Sequence, residues 1–357
     1  MKNIVKRALL ETRILRLASL VSPPKVSILR YHSVQDDPEP YANTIGRGII
    51  HTTTAFREQM EIVARNCNPV SIQDILGFLS GEHTLPRRAV AVTFDDGYAD
   101  NYEIAAPVLN KVGVPAAFYV TVGDIESRTP PWYCRLRHAF SVTAREGWSD
   151  SKDNGARPLE TSAERKVAFL LASRRCSQLV GWEQARALEI IERELGVETL
   201  ETSGAPMMTW DQARRLQRDG HIVGSHTMTH PNLAWVDEAA RQKELLESRR
   251  IMEEKLQGPA IHFSYPSPIA DPHFTKQTIE STKQAGYKTA VTCARGPVRK
   301  GEDALCLPRV FAPLERHEFC WALEASLVGL AEKTGVSTQA EDRAEGGMTS
   351  VEGDAEA

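Results

Sequence analysis

Four groups of polar side chains in the sequence come directly after apolar runs that are typical of buried strands. They are His32, the pair Asp95 and Asp96, the pair His226 and His230, and the segment from Tyr265 to Ser267. Because the carboxyl ends of parallel strands meet at the same end of a sheet, we expect these side chains to lie together. Carboxylates and imidazoles gathered at such a place can bind a metal and transfer protons. Their coincidence therefore favours a functional site.

The two aspartates follow the apolar run from Ala89 to Phe94. Adjacent residues leaving a strand point in different directions, so one carboxylate can bind a metal while the other accepts protons. Taken alone, the pair is more typical of the start of a loop, since Asp and Gly are common in turns.

The two histidines are four residues apart, so one helical turn would place both imidazoles on one face. Such a pair suits Zn²⁺, with a carboxylate as third ligand and one open position. Thr227 stands where the zincin motif has its Glu, so that motif is absent. An isolated pair at this spacing is more often two ordinary packed or hydrogen-bonded histidines, and His32 has the same ordinary interpretation.

The elements that must position these groups alternate between strand and helix patterns, which predicts a parallel α/β sheet, open or closed. Residues 124–206 interrupt the alternation and are predicted to be a mostly helical insertion. Asp271 and Pro272 are predicted to begin the helix that ends near Gly286. Residues 331–357 have the composition of an acidic, disordered tail.

Composition narrows the possible classes of protein. The chain has 357 residues, a formal net charge of −4 and a hydrophobic fraction of 41%. The nearly balanced charge argues against a general nucleic-acid binder. No uncharged apolar run approaches the ~18 residues of a membrane-spanning helix, and the composition is not that of a disordered chain.

The N-terminal segment, residues 1–24, is predicted to be helical and basic. Glu11, Arg13 and Arg16 interrupt its apolar residues, which is not typical of a signal peptide. The segment could contact an anionic membrane surface or pack on the body of the protein. We therefore expect a cytoplasmic protein, in contact with the inner membrane surface if the first alternative holds.

The motifs resemble those of the polysaccharide deacetylase family, of the carbohydrate esterase family 4 type. Residues 93–97 (TFDDG) match its first motif, residues 225–230 (SHTMTH) contain its second, and residues 263–266 (FSYP) are similar to its third. Residues 29–34 and 307–310 resemble the opening and closing strands of a subgroup linked to exopolysaccharide synthesis. The resemblance extends over residues 25–313 and leaves the insertion and both ends unmatched.

This resemblance implies an α/β fold, a distorted (β/α)7-type barrel over residues 25–330. It also implies a divalent metal, usually zinc, held by Asp96, His226 and His230. Asp95 would be the general base on the water that attacks an N-acetyl carbonyl, giving acetate and a free amine. A separate acid must then protonate the leaving amine.

The third motif departs from the family pattern, in which an Arg orients the base. Its changed positions read Ser264, Ser267 and Pro268. The backbone N–H of Ser267 could still serve an oxyanion hole, whereas Pro268 has no N–H to donate. We assign Ser267 and Tyr265 to oxyanion or substrate binding.

Two other residues are predicted to supply what the pattern lacks. Arg309, at the end of the last strand, would replace the missing positive charge beside Asp95. The late Leu-x-His motif of the family is also absent, and His32 would be the general acid in its place. If the sheet closes into a barrel, the first strand that carries His32 lies beside the last strand.

We therefore expect a metal-dependent hydrolase that removes N-acetyl groups from an amino sugar in surface polysaccharide or glycan biosynthesis. Its partner would be an N-acetylated sugar or glycan, and not a nucleic acid. A deformylase or other amidase would use the same site. A catalytically silent glycan-binding module is the alternative from another class, and metal-dependent acetate release would separate it from the enzyme.

Overall fold

Seven parallel strands form the centre of the molecule, for which the computed structural model describes residues 2–149, 155–266 and 272–330. Each strand pairs with the next one along the chain, and the seventh pairs with the first. The predicted (β/α)7-type barrel is therefore confirmed. The strands are β1 (Lys25–Tyr31), β2 (Ala89–Phe94), β3 (Ala116–Val120), β4 (Ile222–Ser225), β5 (His262–Ser264), β6 (Thr289–Arg295) and β7 (Leu307–Phe311).

Helices surround this barrel. They are α1 (Lys2–Glu11), α2 (Ile14–Val21), α3 (Thr53–Asn66), α4 (Ile72–Ser80), α5 (Ala106–Val112), α6 (Val122–Ser127), α7 (Trp132–Val142), α8 (Ser162–Cys176), α9 (Gly181–Leu195), α10 (Trp210–Arg218), α11 (Glu238–Leu256), α12 (Lys276–Gln284) and α13 (Arg316–Val328). Several begin with a capping box, in which the side chains of the N-cap residue and the third helical residue each bond the other's backbone N–H.

Short strands complete the sheet structure. Asn68–Pro69 pairs with β2, and Val298–Arg299 runs antiparallel to β1. Ser33–Gln35 pairs with Ile50–Thr52 just beyond the barrel. Gly147–Ser149 and Ala156–Pro158 form an antiparallel pair that belongs to the segment between β3 and β4.

The core has two layers because side chains alternate along each strand. In β2, Val90, Val92 and Phe94 pack outward against helix residues such as Phe56 of α3. Ala89 and Ala91 belong to the second cluster, inside the barrel. Both faces of the strand are buried, which explains its nearly continuous apolar sequence.

The segment between β3 and β4 contains α7, α8 and α9, with a hydrophobic cluster of its own. Phe140 of α7, Ala172 of α8 and Ile191 of α9 are buried in it together with Trp148. This agrees with the helical character predicted for residues 124–206. The cluster gives these helices an apolar core separate from that of the barrel.

Helices α1 and α2 lie on the outside of the barrel, where both contact α13. Leu15 is buried, and Lys6 Nζ lies 3.4 Å from a carboxylate oxygen of Glu318. One face of this segment therefore packs on the body of the protein. No helix within the described ranges combines the length and the apolar character that crossing a bilayer requires.

The start of α12 differs from the sequence prediction. Asp271 lies outside the described residues, Pro272 is not helical, and the helix begins at Lys276. Thr275 is the N-cap, and its hydroxyl accepts a hydrogen bond from the backbone N–H of Thr278. The prediction was wrong because two capping signals lie close together and the second one is used.

Candidate active site

The carboxyl ends of the strands surround a cavity of about 350 Å³. His32 follows β1, Asp95 and Asp96 follow β2, and His226 follows β4. Part of the insertion forms the opposite wall. The lining residues are His32, Ile49, Asp95, Asp96, Trp132, Tyr133, Arg137, Lys166, Phe169, Leu170, Ser173, His226 and His230.

Asp95 continues the row of β2 side chains that point into the barrel, where it meets Arg309 of β7. Arg309 donates from Nη1 to Asp95 Oδ1 at 2.8 Å and from Nη2 to Oδ2 at 2.7 Å. Arg309 was predicted to replace the Arg that the third motif lacks, and that role requires this contact with Asp95. Ser264 Oγ donates to Asp95 Oδ1 at 3.0 Å, so three donors fix the carboxylate.

Arg309 is itself fixed by the barrel interior. Its side chain is 1% exposed, its Nε donates to the carbonyl oxygen of Thr292 at 2.9 Å, and its Nη1 lies 3.3 Å from Thr93 Oγ1. A planar guanidinium held in this way presents a fixed fork to a carboxylate. Because Arg309 contacts Asp95, we describe it as a residue that positions this carboxylate.

Charge around Asp95 keeps its carboxylate ionised. Burial alone raises its pKa, but the positive charge of Arg309 and the hydrogen bonds from its guanidinium lower it by more. The pKa of Asp95 therefore lies well below its usual range.

Asp96 has the opposite electrostatic environment. Burial, followed by the negative charge of Asp95, raises its pKa to about 7, although hydrogen bonding from Tyr133 and Tyr98 offsets part of the rise. Its Oδ1 lies 3.6 Å from Nε2 of His226 and 3.6 Å from Nε2 of His230. Within the described residues it has no Lys or Arg partner, so its negative charge lacks a counter-ion.

The histidine segment is not the helical turn that the spacing suggested. Residues 226–230 form an irregular loop beyond β4, in which Thr227 and His230 have φ angles of 70° and 53°. Asp96 also has a left-handed φ of 77°. For a β-branched residue such as Thr227 this conformation is strained, and strain of this kind persists where surrounding contacts impose it.

Glu244 of α11 holds this loop in place. Its Oε2 accepts hydrogen bonds from the backbone N–H groups of Met228 and Thr229, both at 2.9 Å, and its Oε1 accepts from Thr229 Oγ1 at 2.8 Å. Thr227 Oγ1 accepts from the N–H of His230 at 3.0 Å. These bonds take up the backbone donors and bring both imidazoles to Asp96.

The three side chains form a donor set that fits a divalent cation. The ligand atoms of Asp96, His226 and His230 all lie within 4.8 Å of one another, and all three residues are buried. His226 donates from Nδ1 to the carbonyl oxygen of Ser264 at 2.7 Å, which leaves the Nε2 lone pair available. Burial lowers the pKa of both histidines, which keeps them neutral, as metal ligands must be.

His32 lies in the same cavity, and its Nδ1 is buried without a hydrogen-bond partner. Burial lowers its pKa to about 3, and the nearby charge of Asp95 opposes this only in part. His32 is therefore neutral in the free site, so it must gain a proton before it can donate one.

Tyr265, one of the two residues assigned to oxyanion or substrate binding, does not line the cavity. Tyr265 is 1% exposed, stacks on Phe274 and donates its hydroxyl to the carbonyl oxygen of Leu305 at 3.1 Å. These contacts show core packing. Ser267 and Pro268 lie outside the described residues.

Sequence reasoning missed several residues that shape the site. Ser264 occupies a changed position of the third motif, but nothing in the sequence indicated that it would bond to Asp95. Glu244 lies in a charged helix among other acidic residues, so nothing distinguished it. Tyr133 packs its ring 4.8 Å from that of His230, and Trp132 donates to the His230 carbonyl oxygen at 3.2 Å. This pair was not missed, since the sequence left both aromatic residues open to stacking on a sugar or, more often, to core packing.

Comparison with known proteins gives a consistent family. The model of the family described as polysaccharide deacetylase matches residues 82–290. A Bacillus subtilis (strain 168) protein provisionally named polysaccharide deacetylase YxkH is 19% identical over 289 residues, 81% of this chain and 71% of that protein. The poly-beta-1,6-N-acetyl-D-glucosamine N-deacetylase of Escherichia coli (strain K12) is 34% identical over 91 residues, 25% of this chain and 13% of the relative.

Solved structures agree on the fold. The Streptococcus pyogenes deacetylase PplD, in complex with acetate, superposes with a TM-score of 0.56 at 19% identity over 84% of this chain and 97% of PplD. IcaB from Ammonifex degensii gives a TM-score of 0.54 at 19% identity, over 85% and 98% of the two chains. Because the family model matches more than half of the sequence and includes both Asp95–Asp96 and His226–His230, this chain belongs to the polysaccharide deacetylase family.

Proposed function

We propose that the protein is a zinc-dependent N-deacetylase that hydrolyses the N-acetyl group of an amino sugar in surface polysaccharide or glycan biosynthesis. The observation that carries this proposal is the buried cluster of Asp96, His226 and His230 beside a second carboxylate, Asp95, held by Arg309. The E. coli relative is named for the N-deacetylation of a polymer of N-acetylglucosamine, which supports this class of substrate.

The donor set favours zinc among divalent cations. Two imidazole nitrogens and one carboxylate oxygen are a common catalytic zinc set, which leaves a position for the reactants. A zinc ion bound there would act as a Lewis acid on the acetyl carbonyl and lower the pKa of water. The uncompensated charge of Asp96 supports a cation in contact with its carboxylate.

The protein groups would then divide the proton transfers. Asp95 accepts the proton of the attacking water, since Arg309 and Ser264 hold the carboxylate ionised and fixed in position. His32, neutral beforehand, takes over the proton that Asp95 removed from the water and passes it to the nitrogen that leaves as the amine. Water adds to the carbonyl carbon, the C–N bond breaks, and the products are acetate and a free amine.

The test is acetate release from a panel of N-acetylated glycans, measured with zinc and with a chelator. We expect release that the chelator abolishes and that zinc restores. The His226→Ala/His230→Ala double variant should lose bound zinc and activity together, whereas His83→Ala, at an exposed position, should keep both. Full zinc content in the double variant would refute the ligand assignment. Formate release from N-formyl sugars in place of acetate would indicate a deformylase.

We also propose that the N-terminal segment contacts an anionic membrane at its inner surface. Leu17 and Val21 of α2 are 63% and 80% exposed, beside Arg13 and in a segment with a basic excess. Leu17→Glu should reduce sedimentation with phosphatidylglycerol vesicles. Leu246→Glu, which replaces an exposed leucine of α11, should not. Equal sedimentation with neutral phosphatidylcholine vesicles would count against the proposal.

A further inference from the structure

The wall of the cavity that faces the metal-binding cluster comes from two helices of the insertion. On α8 the lining residues Lys166, Phe169, Leu170 and Ser173 are spaced three, four and seven residues apart, which places them on one face of the helix. On α7, Arg137 follows the lining residue Tyr133 by four positions. One continuous face of the insertion therefore looks onto the site.

Two cations on this face have no carboxylate partner within the described residues. Arg137 and Lys166 both line the cavity, and neither forms an ion pair or donates a hydrogen bond to a described acceptor. Adjacent basic residues differ. Arg135 pairs with Glu192 at 2.7 Å, and Arg165 donates to three backbone carbonyls. Arg137 and Lys166 therefore differ from their neighbours Arg135 and Arg165 in having no acceptor within the described residues.

Arg137 is held in place although it is unpaired. Its Cζ lies 4.7 Å from the centroid of the Phe169 ring, and its Nε is buried without an acceptor. Gly46 makes room for the guanidinium, since a Cβ at that position would lie 3.1 Å from Arg137 Cζ. A buried donor without a partner carries a free-energy cost that a bound acceptor would remove.

Ser173 adds a second unsatisfied polar group to the same wall. Its residue is fully buried, it lines the cavity, and its Oγ has no hydrogen-bond partner. The wall thus presents a guanidinium, an ammonium and a hydroxyl, and its α7 and α8 lining residues include no carboxylate. These groups match the oxygens of a phosphate or a carboxylate.

We propose that the insertion selects an anionic substrate, in which a phosphate or carboxylate group lies on or next to the N-acetylated sugar. This inference rests on the proposed function of the site and specifies its substrate class. The cavity volume of about 350 Å³ lies near the lower end of the ~300–1,000 Å³ found for ligand pockets, which suits one sugar unit with its anionic substituent.

The test measures binding separately from catalysis. In an Asp95→Asn background, which slows turnover, the dissociation constants of N-acetylglucosamine 1-phosphate, N-acetylmuramic acid and N-acetylglucosamine are measured by calorimetry. We expect one or both anionic sugars to bind about 10- to 100-fold more tightly than the neutral one, the usual value of a charge-assisted hydrogen bond. A preference for the phosphate or for the carboxylate identifies which anion the wall recognises.

Variants then locate the preference. Arg137→Gln and Lys166→Gln should each lower the ratio of anionic to neutral sugar affinity, whereas Lys111→Gln, on the exposed surface of α5, should keep that ratio. Equal binding of all three sugars by the Asp95→Asn protein would overturn the inference without any further variant. Anion preference that persists in Arg137→Gln/Lys166→Gln would overturn the assignment to this wall. Absence of acetate release from every substrate would refute the proposed function and not the binding result.

Discussion

The ion pair between Arg309 and Asp95 makes a strong prediction, because both partners are almost completely buried. Replacing Arg309 by Met keeps most of the side-chain volume and removes the positive charge. It leaves the Asp95 carboxylate with Ser264 as the remaining side-chain donor. Removal of one partner of a buried pair typically costs about 3–5 kcal/mol. We expect a loss of that size in the free energy of unfolding at neutral pH.

The loss should depend on pH in a defined direction. In the native protein the pKa of Asp95 lies below its unfolded value of ~3.9. Ionised Asp95 therefore stabilises the fold above that pH, and the stabilisation is lost as the pH falls through the folded pKa. In the Arg309→Met variant burial dominates and raises the pKa of Asp95 above the unfolded value. The carboxyl group then stabilises the fold only when it is protonated. The loss in the free energy of unfolding relative to the unchanged protein therefore grows as the pH rises through the new pKa.

The assay is urea unfolding of both proteins at pH 5 and pH 8, with kcat/KM measured over the same range. An Arg neighbour typically lowers an Asp pKa by about 1–3 units, so the acidic limb of the activity profile should move upward by a similar amount. Arg295→Met is the matched control. Arg295 of β6 lies opposite Arg309 of β7 in the sheet register, but it is exposed. An Arg309→Met protein with native stability at both pH values and an unchanged acidic limb would refute the reasoning.

Three further substitutions test separate parts of the site. Asp95→Asn should keep near-normal zinc content by elemental analysis while kcat falls by roughly 10²–10⁴-fold, the usual size of general-base catalysis; loss of zinc would instead exchange the roles of Asp95 and Asp96. Glu244→Gln should weaken zinc binding by about 10- to 100-fold in a chelator competition, because it disturbs the hydrogen bonds of the loop that carries His226 and His230. Glu254→Gln, at an exposed position of the same helix, should not. His32→Ala should fold, bind zinc and hydrolyse N-acetyl sugars slowly, with a smaller loss on activated acetate esters, whose leaving groups need less protonation; equal losses would argue against a general acid.

The strand and helix order could be predicted from sequence because buried parallel strands have a distinctive pattern. β2 is apolar on both faces and buried throughout, so its sequence is a nearly continuous apolar run. The polar side chains that follow such strands could be assigned to the strand ends without predicting the conformation of the loops. These features are local, and local signals suffice for them.

Other features depend on contacts between distant parts of the chain. The spacing of His226 and His230 is equally compatible with a helical turn. The loop instead has a left-handed backbone at Thr227 and is held by Glu244, which reaches it from another element. The position of Arg309 beside Asp95 requires closure of the barrel, so its sequence position alone could only suggest the contact. Tyr265 was misassigned from its motif position, because its inward packing against Phe274 is a tertiary contact.

The left-handed backbone at Asp96, Thr227 and His230 has a consequence for protein engineering. An L-residue in this conformation costs roughly 1–2 kcal/mol relative to glycine, and Thr227 is β-branched. A library selected for thermal stability alone would therefore favour replacements at these positions, because release of the strain rewards the loss of the side chains that gather at the cavity. Stabilisation campaigns on this fold should hold the three positions constant and draw their gains from the helices on the far side of the barrel.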